Sequence, residues 1–278
     1  MKYYYINGKI IEVRHANIHV TDLAFLRGYG IFDFFKILSG KPLFIDKHIN
    51  RFINSGKILG IELSLSITQL KEQIHKLLNA NKSSNASVQM FLTGGYSIDG
   101  FTPTNPNFII LENKLSVNDP LLYLNGINLI KLKYQREMPE AKTTNYSNAI
   151  KMIKKMKQKN ALDILYYNDK FITETARSNF FIIDHKDVIY TSIDNVLKGI
   201  TRQKIIQLAK NYYNIKEKNI TIEDLKKAKE AFITSTTKGI MPVVNVENDI
   251  IGKGVPGVIT IHLMQLFKKF IKDYLRNR

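Results

Sequence analysis

The sequence contains no cysteine, which excludes disulfide bonds, thiolate nucleophiles and cysteine-ligated metals. Its 6 histidines include no HExxH motif, so no metal centre is predicted. No run of about 18 uncharged apolar residues occurs, and a membrane span is therefore not expected. The first residues, MKYYYINGKIIEV, lack the apolar block and cleavage site of a signal peptide, which favours a cytoplasmic protein.

Acidic residues are few: 24 Asp and Glu stand against 41 Lys and Arg, which gives a formal net charge of +17. Such an excess can indicate a protein that binds nucleic acid or another anionic surface. The lysines are instead spread along the whole chain, and the one dense run, IKMIKKMKQK at 150–159, fits the charged outer face of a helix. A lysine-rich solvated surface explains the charge, so nucleic acid is not the expected partner.

Strand and helix patterns are mixed irregularly along the 278 residues, which favours an α+β fold over a doubly wound parallel sheet. Asn7-Gly8 and Ser39-Gly40 each lie between strand-like segments and predict β-hairpins. A weakly periodic segment with a proline, 116–125, is the candidate linker. The sequence therefore predicts a small α/β N-terminal domain, 1–115, and a larger β-rich C-terminal domain, 126–278.

Arginine is scarce, and four of its 8 positions lie in glycine- or hydroxyl-containing segments: Arg27, Arg51, Arg177 and Arg202. A guanidinium binds anions in a fixed, bidentate geometry, so these positions are candidate anion sites. A surface ion pair explains each of them equally well when it is considered alone.

The segment VLKGITRQ predicts the most suitable anion site. Gly199 permits a tight turn, after which Ile200 and Thr201 begin a helix whose N–H groups and dipole attract an anion. A simple capping role for Thr201 is the alternative. The hydroxyl-rich run TSTT, 234–237, follows a strand pattern and would complete a phosphate-binding cup.

A lysine and a glutamate are the candidates for reaction chemistry. A lysine can attack a carbonyl as a free amine and hold an aldehyde cofactor as a Schiff base, and Lys142 has Tyr146 four residues further on. Glu174 follows the strand pattern FIT, where a carboxylate could pair with a protonated pyridine nitrogen. A salt bridge between Lys142 and Glu174 is the open alternative.

Six segments, taken in order, give the chain a resemblance to a known family: GYGIFDFFKI, HINRFINSGKILGI, AKTTNYSNAI, ITETARSNFFII, LKGITRQKII and AFITSTTKGIMPV. Together they resemble the class IV pyridoxal-phosphate aminotransferases, which include D-amino acid and branched-chain aminotransferases and aminodeoxychorismate lyase. The resemblance covers essentially the whole chain. It implies a two-domain fold-type-IV enzyme with the cofactor between the domains, a homodimer, and amino acid and 2-keto acid substrates.

The resemblance also implies roles for individual residues. Lys142 matches the catalytic lysine that carries pyridoxal 5'-phosphate and moves the α-proton. Tyr146 matches the tyrosine at the cofactor's phenolic oxygen, and Glu174 matches the carboxylate at the pyridine nitrogen. Leu197 and Asn179 match positions beside the ring. The cofactor's phosphate would be held by a further set: Arg51, Gly199, Ile200, Thr201, Ser235 and Thr236.

The substrate is less clearly indicated. The Arg-x-His of familiar D-amino acid aminotransferases is replaced by Asp99 and Phe101, and the Phe-Glu of branched-chain enzymes by Phe32-Asp33. Other cations lie near the motifs and are predicted to bind the substrate carboxylate: Arg27, Arg177 and Lys36. The C-terminal third favours a D-amino acid such as D-alanine or D-glutamate. Three alternatives stay open: a branched-chain L-amino acid aminotransferase, an aminodeoxychorismate lyase, and a basic nucleic-acid-binding protein on an inactive scaffold.

Overall fold

A computed structural model describes residues 1–276, and the chain divides into two units. Unit 1 comprises residues 1–116 and 141–145, and unit 2 comprises 117–140 and the chain from 146 onward. Both combine sheets with separate helices, which confirms the α+β class. The segment predicted as a linker, 116–125, contains the helix Leu121–Asn125 of unit 2.

Unit 1 contains one antiparallel sheet of six strands in the order β2-β1-β6-β5-β3-β4. Its strands are β1 Tyr3–Ile6, β2 Lys9–Glu12, β3 Gly30–Leu38, β4 Lys41–Pro42, β5 Ala86–Thr93 and β6 Asn107–Lys114. Its helices are the 3-10 turn Val13–His15, α1 Leu23–Arg27, α2 Ile45–Leu59 and α3 Ile67–Asn81.

The core of unit 1 follows from simple periodicities. Strand β3 buries alternate side chains, while α2 and α3 bury one face each, and these faces pack together around Phe35, Phe52 and Ile74. Both predicted hairpins are confirmed, as β1–β2 and β3–β4. All four residues at their tips have a positive φ, which glycine and asparagine tolerate best.

Unit 2 holds ten strands and the remaining helices. Its strands are β7 Ile127–Lys133, β8 Asp163–Tyr167, β9 Phe171–Thr175, β10 Asn179–Ile183, β11 Ile189–Thr191, β12 Ile215–Glu217, β13 Ile220–Thr221, β14 Glu230–Ser235, β15 Gly239–Val246 and β16 Asp249–Ile250. Its helices are α4 Leu121–Asn125, α5 Ser147–Lys151, α6 Ile153–Gln158, α7 Ile200–Ala209, α8 Ile222–Lys226 and α9 Val258–Arg276. The run at 150–159, predicted as one helix, is divided at Met152 between α5 and α6.

Six strands of unit 2 form a closed ring, β10-β14-β15-β7-β8-β9, because β9 also pairs with β10. The pairing that closes the ring joins Glu174 to Asn179. Two residues predicted to bind one cofactor therefore face each other across this pair of strands. Among residues 1–276, no helix is both long and apolar enough to cross a membrane.

Candidate functional site

Lys142 lies in an extended strip of unit 1, residues 141–145, which runs beside β3. Its backbone N–H donates to Ser55 Oγ at 3.0 Å, and its carbonyl accepts from the N–H of Phe32 at 2.9 Å. The side-chain Nζ lies 4.3 Å from the centre of the Phe32 ring. The backbone of Lys142 is thus held by hydrogen bonds on both sides.

A buried ionic cluster occupies the opposite face of β3. Asp33 is fully buried and accepts from Arg51 Nε and Nη2, both at 2.8 Å, while His48 Nδ1 lies 2.7 Å from Asp33 Oδ1. Burial raises the pKa of Asp33, but Arg51 and His48 more than offset this and hold it well below its usual range. Burial lowers the pKa of His48, so a neutral imidazole donating from Nδ1 fits this contact.

The same ionic cluster orients Arg51. Helix α2 presents His48 and Arg51 one turn apart on a single face, so both reach Asp33. Two of the three guanidinium nitrogens bind Asp33. The third, Nη1, is the nitrogen left to reach an external anion, which suits one charge-assisted bond rather than a bidentate clamp.

Lys36 lies on the same face of β3 as Phe32, but four residues further along. That separation is roughly 13 Å along a strand. The side chain is half-buried, and burial lowers the pKa of its ammonium. Lys36 is therefore far from Lys142 along the strand, and its predicted contact with the substrate carboxylate stays a prediction.

Arg27 is the last residue of α1 and is exposed, with Nη1 donating to the carbonyl of Leu26 at 3.3 Å. Asp99 organises the neighbouring loop by accepting from the hydroxyls of Ser97 and Thr102. These bonds and two backbone N–H donors lower the pKa of Asp99. Asp99 stands where familiar D-amino acid aminotransferases have the arginine of Arg-x-His. In this chain its carboxylate instead holds the loop together.

Glu174 is the centre of the cluster in unit 2 and is only 5% exposed. Its Oε1 accepts from Arg136 Nε at 2.9 Å and Nη2 at 2.7 Å. Its Oε2 accepts from the N–H of Leu197 at 3.0 Å and from Asn179 Nδ2 at 3.4 Å. The carboxylate therefore has an ordered set of donors, which compensates for its burial.

Tyr146 directly precedes helix α5, and, like Arg136, it affects the pKa of Tyr166. Burial raises the pKa of Tyr166, and the nearby Asp163, Tyr134 and Tyr146 raise it further, whereas Arg136 lowers it. Tyr146 and Arg136 therefore both lie close to the same buried phenol in unit 2.

The start of helix α7 depends on the absence of a side chain at Gly199. A Cβ built there would overlap Asn179 Oδ1. Asn179 in turn donates to the carbonyl of Leu197 at 2.7 Å, so the turn is packed directly against β10. Thr201 is buried inside the helix, and Gly199 occupies the cap position without a side-chain cap bond, so the alternative of a capping Thr201 is wrong.

A second turn carries the hydroxyl run. Strand β14 ends at Ser235, and Thr236 begins the turn into β15. Ser235 Oγ lies 3.1 Å from the hydroxyl of Thr237 and accepts from the N–H of Lys238 at 3.2 Å. The hydroxyls therefore lie in one short, internally bonded turn.

Two arginines of unit 2 have partners inside the protein. Arg202 is buried and donates to Glu217 Oε2 at 2.6 Å and to the carbonyl of Ser192 at 2.9 Å, so its candidate anion site is corrected to an internal ion pair. Arg177 is exposed and donates to Leu162 O at 3.1 Å, with Nε 3.8 Å from Asp163. These contacts are compatible with the structural ion pair that the sequence left open for Arg177, and its predicted contact with the substrate carboxylate stays a prediction.

The structure distributes the predicted residues over both units. In unit 1, Lys142 lies in the segment beside β3 and Arg51 lies on α2, and in unit 2 Glu174, Asn179, Ile200, Thr201 and Ser235 lie on the ring strands and α7. Glu174 pairs with Arg136, and the suggested salt bridge between Lys142 and Glu174 stays a prediction. Arg136 was missed because its segment, KYQREMPE, carries no glycine, serine or threonine and no helix signal.

Comparison with known proteins identifies what this arrangement is similar to. Residues 30–246 match the family model described as amino-transferase class IV. A D-alanine aminotransferase of Bacillus licheniformis is 29% identical over 264 residues, covering 91% of this chain and 92% of its own length. One of Staphylococcus aureus (strain N315) is 28% identical over 99% of both chains. The fold is similar to the branched-chain amino acid aminotransferase of Escherichia coli, with a TM-score of 0.89 and 23% identity over 96% of this chain and 94% of that one.

Proposed function

Because the chain belongs to the class IV aminotransferases, a family of pyridoxal-phosphate enzymes, we propose that it moves the amino group of a D-amino acid, such as D-alanine or D-glutamate, to a 2-keto acid. The chain is a pyridoxal-phosphate-dependent aminotransferase. The observation that carries the D-amino acid assignment is the nearly full-length similarity to D-alanine aminotransferases. The proposal therefore concerns which amino acid is the amino donor and which 2-keto acid is the acceptor.

The residues present fit this cofactor. A buried carboxylate, Glu174, is suited to a protonated ring nitrogen, and its donors keep it ordered. The start of α7 at Gly199 and the hydroxyl turn at Ser235 are suited to a phosphate, since both offer N–H or O–H donors. Lys142 supplies an amine on a fixed backbone. The ring nitrogen, the phosphate and the aldehyde of the cofactor are therefore each matched by a suitable group of the chain.

When bound, pyridoxal phosphate supplies an electron sink that stabilises a carbanion at the substrate's α-carbon. We assign Lys142 two tasks: its Nζ would hold the aldehyde carbon of the cofactor, with loss of water, and its amine would carry the proton away from the α-carbon of the substrate. The phenol of Tyr146 would bind the cofactor's phenolic oxygen, and Glu174 would keep the ring nitrogen protonated. Leu197 would pack against the pyridine ring of the cofactor. Asn179 holds Glu174 in place by donating a hydrogen bond to its carboxylate.

The phosphate is assigned to an arginine, a helix start and a hydroxyl-rich turn. Arg51 offers Nη1 because Asp33 already occupies its other two nitrogens. Helix α7 offers the N–H groups and hydroxyl at its start, and the turn after β14 offers further hydroxyls. The complete proposed set is Arg51, Gly199, Ile200, Thr201, Ser235 and Thr236. The substrate carboxylate is assigned to Arg27 and Arg177, with Lys36 as a weaker third candidate.

We also propose a cytoplasmic homodimer. Unit 1 exposes large apolar side chains near Arg27: Phe25 is 74% exposed, Phe101 is 78% exposed, and Ile98 is fully exposed. Exposed apolar residues of this size favour an interface with another chain. Light scattering of the purified protein is expected to give twice the mass of the chain, and a strictly monomeric active enzyme would contradict the dimer.

One alternative substrate has an observation in its favour. The similarity in fold to a branched-chain aminotransferase is compatible with an L-amino acid. The lyase alternative uses the same cofactor, and the nucleic-acid-binding alternative predicts a colourless protein with salt-dependent binding to DNA.

A single titration separates a D-amino acid aminotransferase, a branched-chain aminotransferase and a protein that does not bind the cofactor. The protein purified with pyridoxal phosphate is expected to show a visible absorption band, and D-alanine or D-glutamate, added without a keto acid, is expected to replace it by the spectrum of the pyridoxamine form. L-Leucine should leave the band unchanged. A response to L-leucine alone would assign the protein to the branched-chain enzymes, and no band at all would exclude the proposed function.

A further inference from the structure

A buried ammonium lies next to the proposed phosphate site and has no role so far. Lys238 is 7% exposed although it follows the hydroxyl turn of unit 2. Its Nζ donates to Ser178 Oγ at 3.1 Å and lies 3.5 Å from Asp163 Oδ2. Lysine is rarely buried unless it is paired, and a buried ammonium does not contribute to a solvated surface. The burial of Lys238 and its pairing therefore need another explanation.

The two ends of this lysine belong to two different turns. Its backbone belongs to the turn from β14 to β15, directly after Ser235 and Thr236. Its ammonium reaches Ser178, which lies in the turn from β9 to β10, between Glu174 and Asn179. Lys238 therefore connects the turn proposed to hold the phosphate with the turn that carries the ring-binding residues.

The backbone of the hydroxyl turn is held independently from another direction. Tyr123 donates from its hydroxyl to the carbonyl of Lys238 at 2.9 Å, and Asn118 donates to the carbonyl of Thr237 at 3.1 Å. Ser235 Oγ accepts from the N–H of Lys238. The side chain of Lys238 supplies the remaining attachment, so the turn is fixed at both its backbone and its side chain.

The charges around Lys238 are balanced inside unit 2. Burial lowers the pKa of its ammonium, and Asp163 opposes this effect. Asp163 is itself buried and also accepts from the N–H of Ile164 at 2.9 Å and from Thr175 Oγ1 at 3.2 Å. A buried ion pair of this kind contributes little net stability compared with apolar side chains, but it fixes the geometry of the groups that it joins.

We propose that Lys238 is a positioning residue that locks the hydroxyl turn, Ser235 to Thr237, in the geometry that binds the phosphate of the cofactor. The inference rests on the proposed function, because it assigns the phosphate to that turn. It differs from a general stabilising role, since its effect should be confined to ligands that carry a phosphate.

Two ligands test this directly: pyridoxamine 5'-phosphate and pyridoxamine, which has the same ring without the phosphate. Equilibrium dialysis against the cofactor-free full-length chain gives both affinities. Lys238→Met is expected to weaken binding of the phosphate ligand about tenfold or more, as for the loss of a charged hydrogen bond, and to leave pyridoxamine affinity unchanged. The matched control, Lys154→Met on the exposed face of α6, should alter neither affinity.

A second variant separates positioning from stability. Lys238→Met leaves the buried Asp163 with only the exposed Arg177 as a cation, 3.8 Å away, so the variant should unfold at a lower temperature. The double variant D163N/K238M removes the buried charge and should recover much of the unfolding temperature, but not the phosphate affinity. Recovery of both would show that the pair is only structural and would overturn the proposal.

The other outcomes are equally decisive. Equal weakening of both ligands, or an effect of Lys238→Met on the KM for the amino acid alone, would also overturn the positioning role. Failure of the wild-type chain to bind pyridoxamine 5'-phosphate would contradict the proposed function itself, and this proposal with it.

Discussion

Replacing Lys142 by alanine is expected to lower the rate of amino transfer about 10⁴-fold or more, since the change removes both the nucleophile and the group that moves the α-proton. The fold should persist, because the hydrogen bonds of Lys142 with Ser55 and Phe32 use its backbone atoms. Steady-state transfer from D-alanine to a 2-keto acid measures the rate, and thermal unfolding measures the stability.

A lysine-to-alanine control shows that the effect belongs to this position. Lys154 is exposed on α6, and its replacement by alanine should leave the rate unchanged. Retention of more than about a tenth of the activity by Lys142→Ala would transfer the catalytic assignment to another amine. Lys36 would then be the next candidate, because burial already lowers the pKa of its ammonium.

Replacing Glu174 by glutamine is expected to lower kcat about 100-fold or more. The substitution keeps the size of the side chain but removes the charge that would hold the ring nitrogen protonated. The KM for the amino acid should change much less, because Glu174 is assigned to the cofactor and not to the substrate. Steady-state kinetics separate kcat from KM, and Glu223→Gln on the exposed face of α8 is the matched control.

The same substitution leaves Arg136 without its carboxylate partner. Loss of stability is therefore expected, and breaking such a buried pair typically costs about 3–5 kcal/mol. Adding Arg136→Met to Glu174→Gln should recover stability but not kcat. Recovery of kcat by the second change would mean that Glu174 acts only as a partner for Arg136, which would contradict its catalytic assignment.

Local sequence patterns were sufficient for both hairpins and for the start of α7. Asn7-Gly8 specified a hairpin through its backbone preference, and the glycine before Ile200 and Thr201 marked the start of α7. In these places the physical cause lies within a few neighbouring residues, so the sequence alone reveals it.

The ion pairs could not be predicted because their partners are distant in the chain. Arg136 is 38 residues from Glu174, and Lys238 is 75 residues from Asp163. Their pairing depends on the order of strands in the closed ring of unit 2, which no local pattern specifies. The prediction for Arg202 was wrong for a related reason, since an arginine at a helix start near a glycine resembles an anion site until its ion pair with Glu217 is known.

The identity of the cofactor-bearing lysine is the central claim, and peptide mapping tests it most directly. Reduction of the purified holoprotein with borohydride makes the bond between lysine and cofactor permanent, and mass spectrometry of a digest then locates it. A phosphopyridoxyl group on the peptide that contains Lys142, and on no other lysine, is the predicted result. Label on Lys36 or another lysine, or release of the cofactor without any labelled peptide, would contradict the account.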